Sequence, residues 1–156
     1  MTYCSQLLQT NLPTLDLHDK VTQVLQEMQL ANYSALPVLD GVLFLGMIAL
    51  ADLEDAAPEA EIITIQQLFQ KHSVRPNDHF LQALRLRSKF YLDSVPVVNE
   101  KQEWEGLVDP EKLIDAVSSM IGAAETGSLL VLEMSRSDYA PGLINRLVES
   151  NDAMIM

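Results

Sequence analysis

The stretch Ser34-Ala35-Leu36-Pro37-Val38-Leu39-Asp40 recurs 59 residues later as Asp93-Ser94-Val95-Pro96-Val97-Val98-Asn99. Each copy is a short apolar run around one proline that ends on Asp or Asn, the pattern of a buried strand entering a turn. The same offset aligns Asp19-Lys20-Val21-Thr22-Gln23-Val24-Leu25 with Asp78-His79-Phe80-Leu81-Gln82-Ala83-Leu84. Gly46 and Leu53 recur as Gly106 and Leu113 at an offset of 60, and Gln6-Leu7-Leu8-Gln9 recurs as Gln67-Leu68-Phe69-Gln70 at 61. Two copies of about 60 residues are too few and too long for a solenoid array. The duplication predicts one domain with internal pseudo-twofold symmetry.

Each copy predicts the order helix, strand, strand, helix, with a short lead-in strand. A helix starts near Asp19, with Val21, Val24, Leu25 and Met28 at helical spacing, and its counterpart near Asp78, with Phe80, Leu81 and Leu84. Leu36–Leu39 and Val42–Ile48 flank Asp40-Gly41, a tight-hairpin signal because both central positions can take positive φ. Val95–Val98 and Trp104–Val108 flank the longer loop Asn99–Glu103. Pro37 and Pro96 lack an N–H, so their strands are expected at a sheet edge or to begin at the proline. Asp109-Pro110 reads as an N-cap followed by proline at the first helical position, opening a helix that runs to about Met120.

In this order the helix, the Ser-x-x-Pro-Val strand, the hairpin, the Gly-h-h turn and the acidic helix resemble the cystathionine-β-synthase (CBS) domain. It occurs here as a tandem pair, the Bateman module, over residues 1–121 approximately. The resemblance implies an α/β (α+β) fold, with a first repeat at 1–60 and a second at 61–122. It also implies dimerisation and binding of an adenine nucleotide (AMP, ADP, ATP or a related adenosine ligand) in the clefts between copies.

The family's ribose motif, Gly-h-h-Thr/Ser-x-x-Asp, reads here as Gly46-Met47-Ile48-Ala49-Leu50-Ala51-Asp52 and Gly106-Leu107-Val108-Asp109-Pro110-Glu111-Lys112. The first copy keeps the acceptor Asp52 and replaces the hydroxyl with Ala49. The second has Asp109 at the hydroxyl position and Lys112, which offers no acceptor, in place of the Asp. Asp109 is also explained as a structural cap, and Asp52 in the first turn of a helix is what capping alone selects. Ser34, Ala35 and Pro37, with Ser94 and Pro96 in the second copy, match the turn that touches adenine in the family.

After Ala123 the pattern changes. Ser128–Met134 reads as a buried strand, and Asp138-Tyr139-Ala140-Pro141-Gly142-Leu143-Ile144 leads into a helix with Leu147 and Val148. The Asp-x-x-Pro-Gly-Leu opening resembles an ACT domain, which implies an amino-acid-type loop at Asp138, Pro141, Gly142 and Leu143. Residues 127–156 then form a partial β-α-β segment, to be completed by further chain or by a partner. An unrelated strand–helix tail is the alternative. The consecutive apolar residues Leu129–Leu132 want burial on both faces, so this segment is expected to be folded but incomplete.

Composition sets the outer limits. The chain has 156 residues, 48% of them apolar, and 22 acids against 10 Lys and Arg for a net charge of −12. That balance disfavours nucleic acid and anionic membrane as partners. One basic window stands out, with Lys71, Arg75, Arg85, Arg87 and Lys89 against Asp78 alone. It reads as a solvated helix face or as an anion-binding edge. The single cysteine, Cys4, excludes an internal disulfide. With no signal-like or membrane-spanning run, a cytoplasmic location is expected.

His18, His72 and His79 are scattered without metal-ligand spacing, and no nucleophile or phosphate-loop motif is present, so neither a metal nor catalysis is expected. Three readings remain. The first is a non-catalytic regulatory, ligand-sensing module acting as a homodimer. The second is a structural dimerisation module with a decayed ligand site. The third, which the sequence supports least, is an enzyme with an unrecognised site.

Overall fold

The computed structural model describes residues 1–123, 131, 133–137 and 139–151. It divides into two compact units, Met1–Ala116 and Val117–Met156.

In the first unit, α1 (Val21–Ala31) buries Val21, Val24 and Met28, one face of a 3.6-residue period. α3 (Phe80–Phe90) buries Phe80 and Ala83, whereas Leu81, expected inside, is exposed. The aspartates near these helix starts close the turns that precede the helices. Asp19 Oδ2 accepts from the Asp16 amide and Asp78 Oδ2 from the Arg75 amide, each at 2.8 Å. The N-cap positions are Lys20 and His79. α1 ends at Asn32 with φ 57°, and α3 ends at the equivalent Tyr91 with φ 54°.

Strands β2 (Leu15–Asp16), β3 (Ala35–Asp40) and β4 (Leu43–Ala49) form one sheet in the order β2-β3-β4, with β2 parallel and β4 antiparallel to β3. Strands β1 (Leu8–Gln9), β5 (Val95–Val98) and β6 (Trp104–Val108) form the other in the order β1-β6-β5. The first hairpin turn is one residue later than expected. Asp40 belongs to β3, the connection is Gly41-Val42, and only Gly41 has positive φ. The second loop spans 99–103 as read from the sequence.

Pro37 lies in a central strand, contrary to expectation. It pairs with Met47, whose N–H and C=O are both bonded to Gln70 rather than to β3. Pro37 is therefore a non-hydrogen-bonded position of the β3–β4 ladder. Its missing N–H lies on the β2 side, where pairing begins only at Val38. Pro96 occupies the same place on the edge strand β5, where its carbonyl accepts from Val74 N–H.

The two copies exchange their lead-in segments. β1 opens the first copy, yet it pairs with β6 of the second, Gln9 opposite Leu107. Gln70 precedes the second copy's helix and pairs with Met47 of the first. The 3-10 segments around these strands follow suit. Cys4 and Ser5 amides donate to the Asp78 and Pro76 carbonyls, and Ile62 and Ile63 amides donate to the Asp19 and Leu17 carbonyls. A shared core of Leu39, Phe44, Met47, Val98 and Leu107 closes the exchange, with the Phe44 and Trp104 rings stacked at 5.5 Å.

α2 (Leu50–Glu54) and α4 (Pro110–Met120) follow the hairpins. On these helices Leu53 and Leu113 belong to the core, while Ile114 and Met120 are exposed. In the second unit, α5 (Pro141–Glu149) begins at the expected proline, with Ala140 as N-cap. The expected strand over Ser128–Met134 is not formed at Val131, Glu133 or Met134, and its other residues lie outside the described residues. A strand exists only where a neighbour takes its backbone groups. Asp138 and the run Ala153–Met156 also lie outside the described residues.

Candidate functional site

The exchange leaves a cavity of about 230 Å³ between the two copies. One wall comes from the turn into β3 (Ser34, Ala35) and from Met47, Ala49 and Asp52 at the end of β4 and the start of α2. The opposite wall comes from the turn into β5 (Leu92, Asp93, Ser94, Pro96), from Tyr91 at the end of α3, and from Gln70 and His72. Six of the nine cleft residues read from the sequence therefore meet here: Ser34, Ala35, Ala49, Asp52, Ser94 and Pro96. Pro37, Asp109 and Lys112 do not line this cavity. They are the duplicates of Pro96, Ala49 and Asp52 in the repeat.

Asp52 is half-buried, and its Oδ2 accepts from the Ala49 amide at 3.3 Å, which secures the helix start. Ala49 brings no hydroxyl to the site. Gln70 Oε1 accepts from both the backbone N–H and Nδ1–H of His72, at 2.8 and 2.6 Å. The imidazole also meets the Phe90 ring edge-on, centroids 3.6 Å apart. The histidine is thus held against one wall with its tautomer set by Gln70. Asp52 and Asp93 put two carboxylates in the lining, which contains no lysine or arginine.

The duplicate motif at Asp109–Lys112 is built differently. Asp109 Oδ1 accepts from the Glu111 and Lys112 amides at 2.9 and 3.2 Å, the N-cap read from the sequence. Lys112 Nζ donates to the Leu8 carbonyl at 3.1 Å. Pro141, Gly142 and Leu143 form the first turn of α5 in the second unit.

Met47, Gln70, His72, Tyr91, Leu92 and Asp93 were not singled out as site residues from the sequence. Two carried a signal in the repeat: Asp93 is the duplicate of Ser34, and Gln70 the duplicate of Gln9. In the basic window, the Arg75 guanidinium donates to the Asn99 carbonyl and Lys89 lies 5.1 Å above the Phe90 ring, so both cations have intramolecular roles. Burial and the nearby Asp78 push the Cys4 thiol up to about 11, which keeps it protonated at neutral pH. Among the described residues, no group of three or more His, Cys, Asp or Glu is placed to hold a metal, and no helix is long and apolar enough to cross a membrane.

Residues 4–59 match the family model of the CBS domain. No curated protein sequence matches the chain. The fold is similar to that of a CBS domain pair/ACT domain protein from Thermotoga maritima, with a TM-score of 0.68 and 19% identity over 77% of this chain and 99% of that one. It is similar to CBSX2 in complex with AMP, with a TM-score of 0.64 and 16% identity over 77% of this chain and 98% of that one. It is also similar to the cytosolic domain of the Mg²⁺ channel MgtE in complex with ATP, with a TM-score of 0.61 and 22% identity over 70% of this chain and 46% of that one. The α/β fold is that of a tandem CBS-domain pair.

Proposed function

We propose that the chain is a non-catalytic regulatory module that senses an adenosine-containing ligand in the cleft lined by Asp52. The carrying observation is a cavity between the two β-entering turns with a carboxylate in its wall. A sugar hydroxyl is a donor that an ionised carboxylate accepts, and backbone groups of the Ser34-Ala35 and Ser94–Pro96 turns suit an adenine edge. Crystals of CBSX2 with AMP and of the MgtE cytosolic domain with ATP support this class of ligand. The repeats are assigned to 1–60 and 61–122, and the ACT-like reading of 127–156 rests on Pro141-Gly142-Leu143 opening α5. The module is proposed to be cytoplasmic and homodimeric.

A thermal-shift panel tests the reading, with adenosine, AMP, ADP, ATP, S-adenosylmethionine, cyclic dinucleotides and amino acids. A ligand specific for the folded state at one hundred times its Kd adds about 2.7 kcal/mol of stability. No shift with any adenine compound would leave the alternative, a structural dimerisation module. That alternative is favoured by the missing hydroxyl at Ala49 and the missing carboxylate at Lys112.

A further inference from the structure

We propose that the cleft lined by Asp52 and Asp93 selects against phosphate, so that its adenosine ligand carries no phosphate and is favoured by a positive charge. This names the ligand class of the site and rests on the function proposed above. The carrying observation is a carboxylate that the fold does not require. Asp93 lies in the turn into β5 and lines the cavity on the wall opposite Asp52. Its duplicate in the turn into β3 is Ser34, so the same turn is built without a charge. The ion pairs among the described residues are those of Glu61 with His18 and Lys20, and none holds the Asp93 carboxylate.

Cations lie close in sequence but do not enter the lining. Lys71 stands between Gln70 and His72, which both line the cavity, yet it is exposed and is not part of the wall. The Arg75 guanidinium donates to the Asn99 carbonyl, and Lys89 lies over the Phe90 ring. A phosphate monoester carries about −1.5 to −2 charges at neutral pH and offers acceptors only. In a cavity of about 230 Å³ it stays within roughly 8 Å, one Debye length at physiological salt, of both walls. Two carboxylates then repel it, and no lysine or arginine of the lining offsets them. A 5′-hydroxyl is indifferent to this field, and a 5′-ammonium is drawn by it.

Calorimetric titration of the full chain tests the selection with adenosine, AMP and 5′-amino-5′-deoxyadenosine, which differ only in the 5′ group. The titrations are run in about 50 mM salt at about pH 7.5, above the ordinary histidine range. The ammonium compound is expected to bind tightest and AMP weakest, with the Kd of AMP about tenfold above that of adenosine. In about 0.5 M salt the three affinities should converge to within about twofold. Asp93→Asn removes one of the two carboxylates and keeps the side chain's shape, so the AMP-to-adenosine Kd ratio should fall to about threefold. Asp93→Glu keeps the charge and should keep the ratio at about tenfold. AMP binding as tightly as adenosine, or a ratio that Asp93→Asn leaves unchanged, would overturn the selection while the adenosine reading stands. No binding by any of the three compounds would remove the adenosine reading, and the selection with it.

Discussion

Met47 and Gln70 exchange both of their backbone hydrogen bonds, each at 2.8 Å, although they belong to different copies of the repeat. Beside this bridge, Gly46 has φ +150°, and a Cβ built there would lie 2.6 Å from Phe69 Cβ. The duplicate repeats the arrangement: Gly106 has φ +144°, and its Cβ would lie 2.8 Å from the Gln9 carbonyl oxygen. Each repeated glycine also sits at a register shift of its hairpin, opposite Val38 or Val97. The glycine of the Gly-h-h turn is thus where one copy's strand bends and the other copy's lead-in passes against it.

Gly46→Ala and Gly106→Ala should each destabilise the fold by about 2–4 kcal/mol, since a steric overlap adds to an unfavourable φ. Gly41→Ala is the control. Its φ is +60° but no atom lies within 4 Å of the added Cβ, so about 1–2 kcal/mol of backbone cost is expected. Urea unfolding of the three variants measures the difference. Equal losses at Gly41 and Gly46 would mean that the lead-in does not press on the hairpin.

Tyr91 holds a left-handed conformation, φ 54°, where its duplicate is Asn32. It is also 90% exposed at the rim of the cavity, so little packing repays the strain. Tyr91→Asn should raise stability by about 0.5–1 kcal/mol, because asparagine tolerates this backbone better. The same change should weaken an adenosine ligand by about 0.5–1.5 kcal/mol through loss of an aromatic contact. A variant that gains stability and keeps full affinity would remove Tyr91 from the site.

The elements were legible because their signals are local. The Pro37 and Pro96 strands, the Asn99–Glu103 loop and the Asp109-Pro110 helix start each announce themselves within a few residues. The exchange of lead-in strands was not legible, because Gln9 and Leu107 are far apart in the chain and a two-residue strand has no periodicity to read. The same limit hid half of the cleft. Asp52 belongs to a motif, but Gln70 and His72 reach it only through the exchange. At Val131, Glu133 and Met134 the apolar run misled for the opposite reason: periodicity reports a wish for burial and says nothing about the partner a strand needs.

His18 Nδ1 lies 3.0 Å from Glu61 Oε2, and Lys20 Nζ lies 3.3 Å from Glu61 Oε1, tying α1's start to the segment after the first copy. The hydrogen bond and charge of Glu61 raise the His18 pKa, and the bonds from His18 and Lys20 lower that of Glu61. The histidine's contribution is complete below its unfolded pKa and is lost as pH rises through the raised folded value. The glutamate's contribution is complete above its unfolded pKa and is lost as pH falls through the lowered folded value. Both contribute fully between roughly pH 4.5 and 6.5. His18→Gln should therefore lower the unfolding midpoint more at about pH 5.5 than at pH 8, by a small amount because the pair is exposed. A difference that grows toward pH 8 would contradict the assignment.

Asp52→Ala tests the proposed sugar acceptor. It should weaken an adenosine ligand by about 1.5–3 kcal/mol, the usual cost of losing a hydrogen bond to a charged group. It should also cost about 0.5–1 kcal/mol of stability, since Asp52 caps the Ala49 amide. Comparing affinities well below the unfolding temperature separates the two effects. Unchanged affinity would remove Asp52 from the site and leave it a capping residue.

The last prediction is a dimer built on α4. Leu113 points into the core at 3% exposure, while Ile114, the next residue, is 62% exposed, and Lys112 beside it holds β1. An isoleucine side chain in water forgoes about 1.5–3 kcal/mol that burial would return. In the same helix Glu111 and Asp115 are the acids flanking this stretch, so an isologous contact would bring like charges close unless the apolar residues meet at its centre. That geometry makes Ile114 the sensitive position. Light scattering of the wild type should return twice the 17.4 kDa chain mass at micromolar concentration. Ile114→Asp should shift the mass toward one chain while leaving the far-ultraviolet circular dichroism unchanged, because the side chain is not part of the core. Ile114→Leu should keep the wild-type mass. A wild type that stays at 17.4 kDa throughout the micromolar range would refute the dimer. A dimer that Ile114→Asp leaves intact would move the interface off this helix.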